Sequence, residues 1–223
     1  MIYVTGDTHG EQNRILYIEK KTGIREGDNL LVCGDFGYLF KNDVSEKNFL
    51  DALEERPYTI CFCDGNHENF PAIYSYPVED WNGGKIHRIR KNVIHLMRGH
   101  IFDIEKKSFF VMGGAYSIDK YRRCENVSWW KEEMPTNAEY RQASESLKRH
   151  GNSVDYIITH TAPSEIIRYL GGCPDAHEAE LCGYLEWVMH EVDFKKWYFG
   201  HWHTDEKLQE KFHALYFDIL EVE

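Results

Sequence analysis

Five apolar runs in this 223-residue chain end in the same way, in a short loop that carries aspartate or histidine. They are Ile2 to Thr5, Asn29 to Cys33, Tyr58 to Cys63, Val154 to Ile158 and Trp197 to Phe199. A strand with one wet face alternates polar and apolar residues. These runs are near-continuously apolar, which marks strands covered on both faces and points to a largely parallel sheet. Between the first three lie stretches with helical spacing: Ile15, Leu16 and Ile18 before Gly23, and Phe49, Leu50 and Leu53 before Pro57, with Ser45 the expected N-cap. Strand and helix in alternation specify βαβ units and an α/β fold. Parallel strands point one way, so their exits gather on one edge of the sheet, where open α/β sheets place their ligands.

The middle of the chain changes character. Lys85 to Arg90, Val93 to Met97, Ile101 to Ile104 and Phe109 to Met112 are short, closely spaced strands, which implies antiparallel pairing or a second sheet. Residues 115–135 follow as a long irregular segment containing Lys120, Arg122, Arg123, Trp129 and Trp130. A loop of that length in a compact domain is usually functional, and its tryptophans are expected to pack into the core. Thr136 and Glu139 form a capping box for a helix with Tyr140, Ala143 and Leu147 on one face, ended by Gly151. Leu181, Cys182, Leu185, Val188, Met189 and Val192 keep a helical period and read as core. Lys207 to Lys211 and Leu215 to Leu220 are expected to close the chain as a hairpin. With no linker, repeat or low-complexity tract, residues 1–223 read as one domain.

Composition narrows the function. Hydrophobic residues make up 42% of the chain and the formal net charge is -11. That charge disfavours non-specific binding to a nucleic-acid backbone, which needs a basic face. No apolar stretch approaches the roughly 20 residues that cross a bilayer. The first residues already read as a core strand rather than a signal peptide, so a cytoplasmic protein is expected. Six cysteines are then expected to be free thiols; Cys61-x-Cys63 lacks zinc-knuckle spacing, and Cys33, Cys61 and Cys63 sit in apolar runs.

The chemistry lies in the five loops: Gly6-Asp-Thr-His-Gly10, Gly34-Asp-Phe-Gly37, Gly65-Asn-His-Glu68, Thr159-His160 and Gly200-His-Trp-His203. Each alone could be a turn. Together, and in this order, they resemble the calcineurin-like metallophosphoesterases over essentially the whole chain. The resemblance implies a four-layer α/β/β/α sandwich, with two mixed sheets flanked by helices, where periodicity alone gives only α/β.

The resemblance also implies a centre of two divalent metal ions. Asp7, His9, Asp35 and His203 would hold one; Asp35, Asn66, His160 and His201 would hold the other, with Asp35 bridging. Imidazole and carboxylate together suit Mn, Fe or Zn, with Mn favoured in vitro. A water between the ions would be acidified to hydroxide and attack phosphorus. His67 would protonate the leaving alkoxide, while Glu68 would cap or orient. The family's protein phosphatase branch follows its second motif with Asp-Arg-Gly; here the chain runs Asp35-Phe-Gly-Tyr-Leu39, which argues against phosphoprotein substrates. Arg122, Arg123 or Lys120 would supply the phosphate clamp instead. The expected substrate is a small phosphate ester, monoester or diester. The alternative is a catalytically weak metal-binding interaction module on the same fold.

Overall fold

The computed structural model describes all 223 residues. In chain order, β1 (Ile2–Thr5), α1 (Gln12–Thr22), β2 (Asn29–Val32), α2 (Val44–Glu54), β3 (Thr59–Phe62) and α3 (Phe70–Tyr74) form the first strand-helix alternation. Five strands follow without a helix between them: β4 (Val78–Trp81), β5 (Gly84–Arg88), β6 (Val93–Leu96), β7 (His100–Ile104) and β8 (Lys107–Met112). The second alternation is α4 (Asn137–Arg149), β9 (Tyr156–Thr159), α5 (Ser164–Tyr169), α6 (Ala179–Glu191) and β10 (Lys196–Phe199), and β11 (Glu206–Leu208), β12 (Phe212–Ala214) and β13 (Ile219–Glu221) complete the chain.

These strands make two mixed sheets. The first runs β13-β1-β2-β3-β6-β5-β4 and the second β11-β12-β10-β9-β8-β7. Strands β1, β2, β3 and β6 are mutually parallel, as are β8, β9, β10 and β12. Side-chain alternation explains the continuous apolar runs. Ile2, Val4, Leu31, Cys33, Cys61 and Cys63 enter the core between the sheets, with Phe109, Val111, Ile158 and Tyr198 from the other side. Their neighbours Tyr3, Leu30, Val32, Ile60 and Phe62 pack outward with Ile15, Ile18, Leu50 and Leu53 of α1 and α2. On the far side, Phe110, Ile157, Trp197 and Phe199 pack against α4, α5 and α6 through Leu147, Ile166 and Leu185. The result is the four-layer α/β/β/α order. Burying one such aliphatic or aromatic side chain contributes about 1.5–3 kcal/mol, and each strand makes that contribution on both faces.

Local expectations hold in part. The capping box is present: the Thr136 side chain accepts from the Glu139 N–H and the Glu139 side chain accepts from the Thr136 N–H. Helix α2 is capped by Asp43 and not by Ser45; the Asp43 carboxylate accepts from the Glu46 N–H at 2.9 Å. Val44, the first helical residue, is 73% exposed and lies off the face that buries Leu50 and Leu53, by which the helix was recognised. The terminal hairpin is β11 with β12, whereas β13 leaves it and pairs antiparallel with β1 in the other sheet. Edge strand β4 was absent from the sequence reading because its two faces are exposed or half-buried. Residues 115–135 hold two short 3-10 turns, Lys120–Arg122 and Lys131–Glu133. All six cysteines are free, and no helix is long and apolar enough to cross a membrane.

Candidate metal centre

The C-terminal ends of β1, β2, β3, β9 and β10 deliver Asp7 and His9, Asp35, Asn66 and His67, His160, and His201 and His203 to one edge of the two sheets. The backbone there is strained. His9, Asp35 and His203 have φ of 47° and His201 has φ of 66°. Non-glycine residues seldom enter that left-handed region, and each costs on the order of 1 kcal/mol or more unless its surroundings enforce it. Here they do: the Asp35 carbonyl accepts from the N–H groups of Thr8 at 3.2 Å and His9 at 2.8 Å. Two glycines admit the close approach. A methyl at Gly200 would overlap Asp7 Oδ1, and one at Gly65 would overlap Asp35 Oδ1.

The first ligand set is Asp7, His9 and His203, whose candidate ligand atoms all lie within 4.8 Å of one another. Asp7 Oδ1 accepts from the His201 N–H at 3.0 Å. Asp7 Oδ2 is buried; His203 Nε2 lies 3.1 Å away and His9 Nε2 3.6 Å, yet the oxygen accepts no hydrogen bond. An orphaned carboxylate oxygen facing two imidazole nitrogens fits a bound cation.

The second set joins Asp7 and Asp35 to His160 within the same reach. The His160 Nδ1–H donates to the Cys33 carbonyl at 2.8 Å, crossing from one sheet to the other. With a cation in place of its second proton, Nε2 would present its lone pair; it lies 3.1 Å from Asn66 Oδ1 and 3.4 Å from Asp35 Oδ1. Metal-ligating histidines commonly have their second nitrogen fixed in this way. His201 stands at the edge of the set, its ring edge-on to that of His160 at 5.0 Å between centroids. The other Asp35 oxygen, Oδ2, lies 3.9 Å from His9 Nδ1. The Asp35 carboxylate therefore faces both sets, as a bridging ligand must.

Charge in the site agrees. Burial alone would raise the Asp35 carboxyl, but the adjoining His160 more than reverses this and holds it far below its ordinary range. Burial acts to lower His160, yet Asp35 and then Asp7 carry it up to about 10. Burial, aided by His160, pushes His201 down to about 4. Two buried carboxylates thus demand positive charge, which His160 supplies in part as an imidazolium and a divalent cation pair would supply in full. The donor set fits two such ions.

Around the ligands, the Asp35 Oδ1 atom accepts from the His67 N–H at 2.7 Å. Glu68 Oε1 accepts from the Phe36 N–H at 2.7 Å, so Glu68 orients the second loop. The Arg123 Nη2 lies 2.9 and 3.0 Å from the two ring nitrogens of His67, and its Nε donates to Asp119 at 2.8 Å. Burial lowers the His67 imidazole; Asp35 opposes that and Arg123 adds to it. Arg122 is elsewhere, exposed and stacked over Tyr121. Lys120 pairs with buried Glu133 at 2.6 Å. Trp130 is buried against Phe40, as expected of core, while Trp129 lies under the Lys120 ammonium.

A cleft of about 880 Å³ opens beside Asp35, Asn66, His67, His201 and His203 and runs on to Tyr116, Pro174 and Trp202. The sequence reading did not single out Ser117, to which the Asn66 Nδ2 donates at 3.0 Å. It also missed Arg98, buried against Asp64 just before Asn66. A lone serine in a polar loop and an arginine at a strand end carry no local signature.

No curated protein sequence matches the chain. A model of the family described as calcineurin-like phosphoesterase matches residues 1–205 of the 223. The strand-end ligands, the four layers and this match agree: the chain belongs to the calcineurin-like phosphoesterases.

Proposed function

We propose that this phosphoesterase hydrolyses small phosphodiesters, with the uncharged substituent lying between Tyr116, Pro174 and Trp202. The lining of the cleft carries the reading. Asp119, Asp175 and Glu178 line it with no lysine or arginine among them, and Arg123, which rests on His67 at its edge, is already paired with Asp119. A diester brings one negative charge where a monoester brings up to two, so such a lining favours the singly charged ester. It offers no cationic track to a nucleic-acid strand, in keeping with the net charge of -11.

Asp7, His9, Asp35 and His203 would hold one divalent cation, and Asp35, Asn66, His160 and His201 the other. When bound, the pair supplies Lewis acidity toward the phosphoryl oxygens and water activated at neutral pH; imidazole and carboxylate suit Mn, Fe or Zn. Asp35 offsets the repulsion between the two positive charges, and Asn66, as a neutral ligand, leaves the centre positive enough to attract phosphate. His67, its main chain fixed by Asp35 at 2.7 Å, holds a ring proton for the leaving alkoxide. A phosphoryl oxygen gives the planar Arg123 fork a better partner than the imidazole it rests on.

The test is steady-state hydrolysis of bis-p-nitrophenyl phosphate and p-nitrophenyl phosphate by metal-stripped protein reloaded with Mn. The reading predicts a higher kcat/KM for the diester. Activity on the monoester alone contradicts it. Silence on both, with two ions bound, would favour the interaction-module alternative.

A further inference from the structure

The side-chain amide of Asn66 has one end that can bind a cation and one that cannot. Oxygen and NH2 group are nearly isosteric, and the terminal torsion that exchanges them is soft. A flip would turn the NH2 toward His160 Nε2, now 3.1 Å from Asn66 Oδ1. The amide torsion alone does not choose between the two orientations. Something must favour the ligating orientation.

We infer that Ser117, held in place by Glu133, sets the Asn66 amide with its oxygen toward the second ion and so determines that ion's affinity. The inference rests on the metal-centre reading of the site. The Asn66 Nδ2 donates to Ser117 Oγ at 3.0 Å, and the Ser117 hydroxyl proton is directed back at the Asn66 carbonyl through a long contact of 3.5 Å. Ser117 thus receives the NH2 group on the side away from His160. Without the hydroxyl, the ligating orientation leaves a buried N–H unpaired, and the amide loses the contact that tells its two ends apart.

Ser117 is itself pinned. Its N–H donates to Glu133 Oε1 at 2.9 Å, and that same oxygen meets the Lys120 ammonium at 2.6 Å. Glu133 is fully buried, and Lys120 lies 3.7 Å from the ring centroid of Tyr116 and 4.4 Å from that of Trp129. Arg98 closes the circuit: its Nη2 donates to the carbonyls of Glu132 at 2.8 Å and Glu133 at 3.2 Å, while its Nε donates to Asp64 at 2.7 Å. Both ends of the Asn66–Ser117 hydrogen bond are therefore anchored to one guanidinium. The segment from Tyr116 to Glu133 works as a strut for a metal ligand rather than as a detachable cover.

The test is calorimetric titration of the metal-stripped full chain with Mn. Wild type is expected to bind two ions, and Ser117→Ala to keep the first while binding the second about tenfold to a hundredfold more weakly. Aspartate presents an oxygen in either orientation, so in an Asn66→Asp background the same serine change should cost less than about threefold. A purely structural role for Ser117 would lower Tm alike in both backgrounds and would not move this difference. Unchanged second-ion affinity in Ser117→Ala, equal weakening of both ions, or an equal penalty in the Asn66→Asp background would each overturn the inference. Wild type binding fewer than two ions would instead remove the metal-centre reading beneath it.

Discussion

The Nε2 atoms of His9 and His203 face each other across 3.0 Å, although 194 positions separate the two residues in the chain. One ring nitrogen can donate to the other in this arrangement, and both would be ligands for a bound cation. The two rings then act as one unit with Asp7. Replacing either histidine with alanine should weaken the first ion by at least about tenfold, and replacing both should cost clearly less than the sum of the two effects. Mn titration of the two single variants and the double variant checks this. Strict additivity would mean that the rings do not share an ion.

His67→Ala should leave both metal sites filled, because the main-chain N–H of this residue, and not its ring, holds Asp35. Turnover should fall about 10²–10⁴-fold for an ester with an alkoxide leaving group. For p-nitrophenolate, which needs little protonation, the loss should be far smaller. Equal losses on the two substrates would rule out the acid role.

Arg123 and Arg122 should separate. Arg123 touches His67 at the cleft, whereas Arg122 is exposed over Tyr121. Arg123→Ala should raise KM several-fold, and Arg122→Ala should leave kinetics within about twofold. A larger effect at Arg122 would relocate the phosphate clamp.

Behind the metal centre, burial and then the neighbouring His95 push His87 down to about 4 from its ordinary 6.5. The unfolded chain therefore takes up a proton at His87 before the folded chain does. Its contribution to stability is fully present above pH 6.5 and is lost as pH falls from about 6.5 toward about 4. Tm should decline over that window, and His87→Phe should show a shallower decline. An unchanged slope would assign the acid sensitivity to other groups.

How much of this was legible in the sequence follows from where each residue sits. Asp7, Asp35, Asn66, His160 and His203 end strands buried on both faces, so an apolar run followed by a ligand residue announces them. The sheet order was not readable, because β4 to β6 and β7 to β8 look alike in composition yet join different sheets. Strand β13 looked like half of a hairpin, since only its partner β1, over 200 residues away, decides where it pairs. Asp43 and Ser45 are both N-cap residue types two positions apart, and only the 2.9 Å contact with the Glu46 N–H decides between them. Ser117 and Glu133 gain their significance only from the 3.0 Å and 2.9 Å contacts that bring a polar loop beneath Asn66. Such relationships exist in three dimensions alone.

The central claim is that one carboxylate, Asp35, serves two ions at once. The most direct test is the metal stoichiometry and Mn affinity of Asp35→Asn against wild type, with a thermal melt to confirm folding. The account predicts two ions in wild type and weakened binding at both positions in the folded variant. Loss of only one ion, or wild-type binding of both, would contradict it.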